Sequence, residues 1–493
     1  MTEAAPKVPW PPARSRVARN AIYLVMGQVT TTALAIVLNA FLGRYLGPAD
    51  FGLYFLITTM TLFTYVFVEW GQHYFVIRQI AVEPTRSAEL LGTSLMLRTA
   101  FALLAVAPAW LVARGLGYDT RTQWLSSFLI LASLPLSLTQ GYGLMFRARD
   151  AMGRDATVSV CNKAVALAIT VPALALGAGV PGVLLAQALA GMAALWLAAA
   201  LCRRLGMTRP RISAAATREL LSGGTPFLFM TAAIAVQPYL DVVVLSKLAP
   251  AHVVGWFGAA RNVLGTLVAP ATILGAAAYP TLSRAYASPD SFRREVRSAL
   301  RPLLWLGALG ATGTYLFASF AIGLIYGSRG FDPASDILEA YSPFLFLLFV
   351  DILLGTAIYA SGRTTPFAVA KIASVVLGTA LNFALIPIFQ ERFGNGGMGV
   401  AVAFGLSEFV MCAGALLIIR RGTFEFSSAL DVARAVGAAG ATLLLFRLLP
   451  PLSPWVGLPL CVAAFGAASL GLGLMGRSDL VLLRGMLRQR PGG

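Results

Sequence analysis

Long apolar runs alternate with short polar connections along almost the whole chain. The first run, residues 21–42, contains no ionisable side chain, and about 20 apolar residues are what a helix needs to cross the hydrocarbon core of a membrane. Dividing the chain at clusters of Gly, Pro and charged residues gives fourteen such spans: 20–42, 51–77, 90–113, 122–146, 155–177, 180–202, 219–246, 252–281, 302–326, 338–360, 366–388, 398–419, 430–449 and 455–475. The pattern predicts an all-α, polytopic membrane protein of about fourteen transmembrane helices.

Composition agrees with this class and excludes a soluble domain. The 493 residues are 58% hydrophobic and 12% charged, with a mean hydropathy of +0.76, whereas a soluble chain is about one-quarter charged. The apolar run that follows the basic N-terminal residues is too long for the core of a signal peptide. We therefore expect it to remain in the protein as the first span.

Basic residues are distributed very unevenly between the two sets of connections. Of the 38 Lys and Arg residues, 27 lie on the side that holds both termini, seven lie on the opposite side and four lie within spans. Positive charge in short connections marks the cytoplasmic side, so both termini are predicted to be cytoplasmic. The net charge of +17 is thereby explained by membrane orientation, and no nucleic-acid partner is expected.

The sequence FLGRYLGPADFGLYF, residues 41–55, joins the first two spans. Gly47 and Pro48 interrupt a helix at this point, and Asp50 is placed to cap the helix that follows. The stretch is predicted to be an extracytoplasmic hairpin.

Two pairs of similar segments indicate an internal repeat. LGPADFGLYF at 46–55 resembles LAPAHVVGWF at 248–257, and the apolar segment 180–204 resembles the segment 397–421. Six helices repeated in one orientation predict two parallel lobes with a substrate path between them, followed by two further helices. The predicted divisions are a cytoplasmic tail (1–19), the first lobe (20–204), a basic linker (205–218), the second lobe (219–421), two additional helices (422–476) and a basic cytoplasmic tail (477–493).

The motif LGRYLGPADFGLY from Leu42 to Tyr54, the segment GWFGAARNV at 255–263 and the six, six and two layout resemble the polysaccharide transporter family. This family contains the O-antigen flippases, and its superfamily also holds lipid II flippases and multidrug and toxic compound extrusion transporters. The resemblance implies a bacterial inner-membrane flippase that turns an undecaprenyl-pyrophosphate-linked oligosaccharide from the cytoplasmic to the outer leaflet. It further implies that a polysaccharide polymerase and glycosyltransferases act in the same pathway.

Eight charged residues lie inside the spans at five or more residues from either end, where each costs roughly 2.5 to 3.5 kcal/mol and therefore usually faces a partner or a wet cavity. They are the basic residues Arg98, Lys163, Arg261 and Lys371 and the acidic residues Glu69, Asp241, Asp351 and Glu408. Similar depths in the membrane predict three ion pairs, which are Glu69 with Arg98, Asp241 with Arg261, and Asp351 with Lys371. Lys163 and Glu408 have no predicted neighbour.

Two interpretations of these charges remain open. The matched pairs could simply hold helices together, and Lys163 could extend toward the membrane surface. Our functional hypothesis is that Arg98, Lys163, Arg261 and Lys371 line a cationic cavity that binds the pyrophosphate. The four acidic residues would then be candidates for coupling transport to an ion gradient or the membrane potential.

The sequence carries no recognisable catalytic, cofactor or metal site. The two histidines lack ligand spacing, and the four cysteines are far apart and are expected to be apolar fillers. No Walker motif is present, and GLGLMG at 471–476 lies in the last span without a preceding strand. The longest outer connection has about eleven residues, which leaves little room for a membrane glycosyltransferase or ligase.

Several alternatives stay open at this stage. A lipid II flippase would share the lobes and the cationic cavity, whereas a multidrug or cation antiporter is disfavoured by four buried basic residues. A scaffold without transport is disfavoured by the charges within spans. We expect a monomer surrounded by membrane lipids.

Overall fold

The computed structural model describes residues 13–204, 210–327 and 329–475. The described residues form fifteen α-helices and a 3-10 helix at Pro84–Arg86, with no strand among them. The α-helices are α1 (Ala13–Glu69), α2 (Gln72–Val82), α3 (Ser87–Gly115), α4 (Thr120–Ala132), α5 (Leu134–Ala148), α6 (Met152–Ala175), α7 (Gly179–Arg204), α8 (Ala214–Leu248), α9 (Ala251–Ala285), α10 (Pro289–Tyr326), α11 (Pro333–Ala360), α12 (Thr364–Phe393), α13 (Gly396–Ile418), α14 (Phe426–Leu448) and α15 (Pro454–Gly471). The predicted tail at 477–493, most of the tail at 1–19 and part of the linker at 205–218 lie outside the described residues.

Twelve helical segments in the described ranges are long and apolar enough to cross a membrane, and α8, bent by 43°, makes a thirteenth. One of the twelve is the 48-residue stretch Ile22–Glu69 of α1, in which Gly47 has non-helical angles (φ 71°, ψ 173°) and is followed by Pro48. The all-α, polytopic class predicted from the sequence is confirmed.

Helix α1 is a hairpin of two arms. Leu38 and Leu62 line the same cavity, yet a straight helix would separate them by about 36 Å. The chain must therefore fold back between them, at Gly47, where the sequence predicts a hairpin. Counting the two arms separately brings the thirteen apolar segments to the predicted fourteen.

Two predicted spans are broken rather than continuous. The span at 51–77 is interrupted at Trp70 and Gly71, which have φ angles of 47° and 63°. The span at 122–146 is divided into α4 and α5 at Ser133, just before Pro135, which lacks the backbone N–H that a continuous helix requires. Both breaks lie beside the cavities described below.

The chain divides into two compact units, Met1–Tyr239 and Leu240–Gly493. In the first unit, α7 packs closely on α5 through small side chains, as is common between membrane helices. A Cβ atom added at Gly191 of α7 would lie 3.2 Å from the backbone nitrogen of Leu136. Larger buried side chains, including Val76, Leu90 and Leu144, fill the space among α2, α3 and α5.

In the second unit, α12 and α13 are adjacent helices that approach closely at a glycine. A Cβ atom added at Gly399 would lie 2.7 Å from the carbonyl oxygen of Leu385. Helix α15 packs on α10 through the rings of Trp305 and Phe465, whose centroids are 5.8 Å apart. Close helix contacts of this kind bring side chains from α11, α12 and α13 together inside the unit.

Candidate functional site

The first unit contains a cavity of about 280 Å³ at the predicted residue Lys163. Both arms of α1 line it together with α4 to α7, so the hairpin at Gly47 is what makes this space. Its polar lining residues are Asn39, Tyr54, Thr58, Thr61, Ser133, Asn162, Lys163 and Gln187. Hydroxyl and amide groups inside an otherwise apolar bundle favour a wet space.

Lys163 is half-buried and is the one formally charged residue among the described residues that line this cavity. No carboxylate of the described residues lies within 4.0 Å of its ammonium group. On the neighbouring helix α7, Gln187 donates a hydrogen bond of 2.6 Å from Nε2 to the hydroxyl of Tyr54. The cavity thus offers a positive charge without a fixed counter-ion, beside amide and hydroxyl groups.

A second cavity of about 420 Å³ adjoins the first, because Thr61, Leu62, Ser133 and Leu136 line both. Glu69 and His73 also line this second cavity. Helix breaks at Trp70 and Ser133 place polar side chains and turns along its wall. The two cavities are therefore neighbours within the first unit, and each has polar side chains in its lining.

Glu69 and Arg98 are in contact, as their depths predict. The Arg98 Nη1 group lies 3.2 Å from Glu69 Oε1 and donates a further hydrogen bond of 2.9 Å to the hydroxyl of Ser137. Arg98 is fully buried and does not line either cavity. It stands behind the cavity wall and holds Glu69 and Ser137 in place.

His73, which lines the same cavity, belongs to a separate polar contact. Its Nε2 lies 3.2 Å from Nη1 of Arg147, and the Arg147 Nε donates to Asp155 at 2.8 Å. The arrangement joins α2, α5 and α6 through one guanidinium group.

In the second unit, the expected pair of Asp241 and Arg261 is not formed at salt-bridge distance. Asp241 Oδ1 instead accepts a hydrogen bond of 2.7 Å from Asn382 Nδ2 on α12, and the Arg261 guanidinium stacks over Phe404, 5.5 Å from the ring centroid. The prediction compared depths only and took no account of α12. Asp241 Oδ2 and Asn382 Oδ1 are buried and have no hydrogen-bond partner among the residues that the structure describes.

Lys371 is paired with Glu408 rather than with Asp351, so the expectation that Glu408 has no neighbour was wrong. The Lys371 Nζ lies 3.9 Å from Glu408 Oε2. Lys371 lies seven residues after the start of α12 and Glu408 ten residues before the end of α13, and adjacent antiparallel helices bring these depths together. Oxygens of Asp351 and Glu408 and the Sγ of Cys412 all lie within 4.8 Å of one another.

The uncharged polar residues of the first cavity are not among the site residues predicted from the sequence. Asn162 precedes Lys163 directly, and Asn39 and Gln187 stand in otherwise apolar spans. Amide side chains inside membrane helices are themselves a signal, since they too need a partner. Asn382, which binds Asp241, could have been found in the same way.

Comparison with solved structures places the fold among known membrane transporters. The structure titled "Lipid II flippase MurJ, inward closed conformation" has a TM-score of 0.72 at 13% identity and covers 93% of this chain and 100% of its own. An inward-facing multidrug resistance MATE transporter of the MOP superfamily has a TM-score of 0.63 at 14% identity, covering 82% of this chain and 95% of its own. A MOP superfamily transporter from Pyrococcus furiosus, whose title reports a binding pocket of reversed polarity, has a TM-score of 0.58 at 14% identity, with 85% and 96% covered.

These structures are of flippases and transporters, not of enzymes. No curated protein sequence matches the chain. The profile of the family described as "Polysaccharide biosynthesis protein" matches residues 17–286, a range that includes the whole Lys163 cavity. Because the match covers more than half of the 493 residues, the chain belongs to the polysaccharide biosynthesis protein family.

Proposed function

We propose that this protein is a flippase that moves an undecaprenyl-pyrophosphate-linked oligosaccharide from the cytoplasmic to the outer leaflet of the bacterial inner membrane by alternating access. The substrate would be a repeat unit of O-antigen, capsule or exopolysaccharide. The observation that carries the proposal is Lys163, a cation with no carboxylate of the described ranges within 4.0 Å, in a cavity of the first unit lined by amide and hydroxyl groups. Family membership supports the polysaccharide pathway.

Each part of the cavity suits a part of the proposed substrate. A lysine ammonium group attracts phosphate as a point charge with three donors. Asn39, Asn162 and Gln187 carry amides that can both donate to and accept from sugar hydroxyls. The prenyl chain stays in the bilayer, since only the charged and sugar parts need shelter from hydrocarbon.

The four basic residues divide into two groups. Lys163 and Arg261 have no carboxylate of a described residue within 4.0 Å, and each is a candidate for binding the head group. Arg98 and Lys371 have carboxylate partners. Arg98 therefore has a positioning role in this proposal.

Energy would come from an ion gradient or from the membrane potential. Glu69 is held by Arg98, which leaves Asp241, Asp351 and Glu408 as candidates for the coupling carboxylate. All three have at least one buried oxygen that receives no hydrogen bond within the described part of the chain. Buried acids of this kind commonly serve proton or cation relays.

The proposal also covers the oligomeric state, membrane orientation and pathway partners of the protein. The chain would work as a monomer with both termini in the cytoplasm, receive its substrate from membrane glycosyltransferases and deliver it to a polymerase. A lipid II flippase and a multidrug or cation antiporter are the alternatives, since solved structures of a lipid II flippase and of a multidrug resistance transporter share the fold.

The test is head-group translocation by purified protein in liposomes loaded with the undecaprenyl-pyrophosphate-linked oligosaccharide. Lys163→Met removes the charge at nearly constant length and should slow translocation by roughly tenfold or more, whereas Lys163→Arg should retain much of it. Arg392→Ala, which removes an exposed charge at the end of α12, is the matched control and should be neutral. Normal translocation by Lys163→Met would contradict the assignment.

The same liposomes separate the alternatives. Faster movement of lipid II than of the oligosaccharide substrate would favour a lipid II flippase. Accumulation of a cationic drug under an imposed ion gradient, without lipid movement, would favour an antiporter. Glycosyl transfer by the purified protein would favour a membrane glycosyltransferase or ligase.

A further inference from the structure

A buried group of two carboxyls and one amine lies in the second unit, away from the Lys163 cavity. We propose that Asp351 and Glu408 together bind one exchangeable proton, and that Lys371 is the fixed cation that neutralises their remaining charge. The inference rests on the ion coupling in the proposed function and narrows it to one site and one ion.

Three helices bring the group together well inside the membrane-spanning part of the unit. Asp351 lies nine residues before the end of α11, Lys371 seven after the start of α12 and Glu408 ten before the end of α13. At 1.5 Å per residue the three side chains originate about 11 to 15 Å from those helix ends, within helices that are long and apolar enough to cross a membrane.

The carboxyl groups have unfilled capacity for a proton. The Glu408 side chain is completely buried, and neither of its oxygens receives a hydrogen bond from a described residue. The same holds for Asp351 Oδ1. A fully buried carboxylate that accepts no hydrogen bond is costly, because its charge has lost water and gained no donor. Its one close cation, the Lys371 Nζ, is 3.9 Å away.

The charges of Asp351, Glu408 and Lys371 together favour one bound proton. Two adjacent carboxylates in a buried site cannot both remain ionised easily, as in other paired carboxyl sites. With Lys371 charged and both carboxyls ionised, the group would carry one net negative charge. One proton shared by Asp351 and Glu408 makes the group neutral and supplies a hydrogen bond between them.

The surroundings favour a proton over a metal ion. Cys412 is the third residue near the pair, but its thiol donates to the carbonyl oxygen of Leu347 at 3.7 Å, whereas a metal requires the thiolate. The ammonium group of Lys371 would also repel a metal cation. The other charged or titratable neighbours are Arg261 on α9, which acts on Glu408, and Tyr359 on α11, which acts on Asp351.

The experiment is infrared difference spectroscopy of the full-length protein in lipid, recorded while the pH is changed. The wild type should show the carbonyl stretch of one buried protonated carboxyl, which shifts in D₂O and disappears reversibly at high pH. Asp351→Asn and Glu408→Gln are nearly isosteric, and each leaves one ionised carboxylate beside Lys371. Each variant should lose this band, whereas Glu339→Gln, on the same helix as Asp351, should retain it.

A third variant tests the role of the lysine. Without the fixed positive charge the carboxyl pair retains its proton more firmly, so Lys371→Met should keep the band at a pH where the wild type has lost it. A profile identical to wild type would remove Lys371 from the site. Thermal unfolding of each variant identifies any that fails to fold, and the remaining variants still decide the question.

Three results would overturn the inference. They are a band that survives in both Asp351→Asn and Glu408→Gln, the absence of any titrating band in the wild type, and loss of the band on adding sodium at constant pH. The spectra need no oligosaccharide substrate. A titrating pair in a protein that moves no lipid-linked oligosaccharide would therefore refute the proposed function alone, and flipping without a titrating pair would refute this inference alone.

Discussion

Asp431 holds three arginines at once and links α14 to α10. Its Oδ2 lies 3.0 Å from Arg301 Nε and 3.3 Å from Arg297 Nε, and its Oδ1 lies 3.2 Å from Arg434 Nη1. The carboxylate is completely buried, while Arg297 and Arg301 are each more than one-third exposed. Breaking a buried ion pair is expensive because it leaves an uncompensated charge, although solvent reduces that cost here.

We predict that Asp431→Asn lowers stability by about 2 kcal/mol, because three guanidinium groups then face one another without a counter-charge. Thermal unfolding in detergent would measure the change. Asp290→Asn breaks a pair in which the carboxylate is 78% exposed, and this control should cost less than about 0.5 kcal/mol. Equal effects of the two substitutions would show that the three arginines do not depend on Asp431.

For individual residues, the sequence identified the eight charged side chains within the spans but did not identify all of their interaction partners. Depth along a helix correctly suggested Glu69 with Arg98, since both residues face the same neighbours. It paired Lys371 with Asp351 and missed Glu408, because depth alone does not show which faces of α11, α12 and α13 meet. That information depends on close packing such as that of Gly399 against Leu385.

Among the elements, the break between α1 and α2 is the feature that depends most on a distant contact. Gly71 has a φ of 63°, and a Cβ atom there would lie 2.2 Å from the carbonyl oxygen of Gly224 on α8. Trp70 beside it donates a hydrogen bond of 3.1 Å from Nε1 to the carbonyl oxygen of Leu221. The break and the first part of α8 therefore fit together through their backbones.

We predict that Gly71→Ala destabilises the protein more than Gly117→Ala does. Both glycines have left-handed φ angles, 63° and 70°, but nothing lies within 4 Å of a Cβ atom at Gly117. The backbone penalty of about 1 kcal/mol is therefore shared, and the clash with α8 is specific to Gly71. Thermal unfolding and head-group translocation should both be impaired in Gly71→Ala, and matching behaviour of the two variants would contradict the contact.

The breaks at Gly47 and at Trp70 differ in whether they can be predicted from the sequence. The hairpin within α1 was predictable because Gly47 and Pro48 interrupt a helix by their own chemistry. The break at Trp70 was not predictable, since its cause includes a backbone contact about 150 residues away in the chain. Local chemistry predicted the first break, and tertiary packing determines the second.

For the whole molecule, the distribution of apolar surface agrees with a lipid environment. Large side chains such as Trp196, Leu104 and Phe409 are 70%, 68% and 62% exposed, whereas Arg98, Asn382 and Glu408 are fully buried. A soluble protein has the opposite arrangement. In a bilayer, apolar groups gain nothing by turning inward, and polar groups must find partners inside.

The orientation predicted from basic residues can be tested by labelling. In a variant without the four native cysteines, Thr120→Cys at the start of α4 should react with an impermeant maleimide added to intact cells. Arg218→Cys near the start of α8 should react only after the cells are opened. Both positions are exposed, and the reverse result would invert the orientation assigned from positive charge.

The central claim is that the polar cavity at Lys163 receives the phosphorylated head of a lipid-linked sugar. The most direct measurement is an experimental structure of the protein bound to an undecaprenyl-pyrophosphate-linked oligosaccharide. We predict a phosphate oxygen within hydrogen-bond distance of Lys163 Nζ and sugar hydroxyls beside Asn162 or Gln187. A bound head group at another place in the protein, with the Lys163 cavity vacant, would contradict the account.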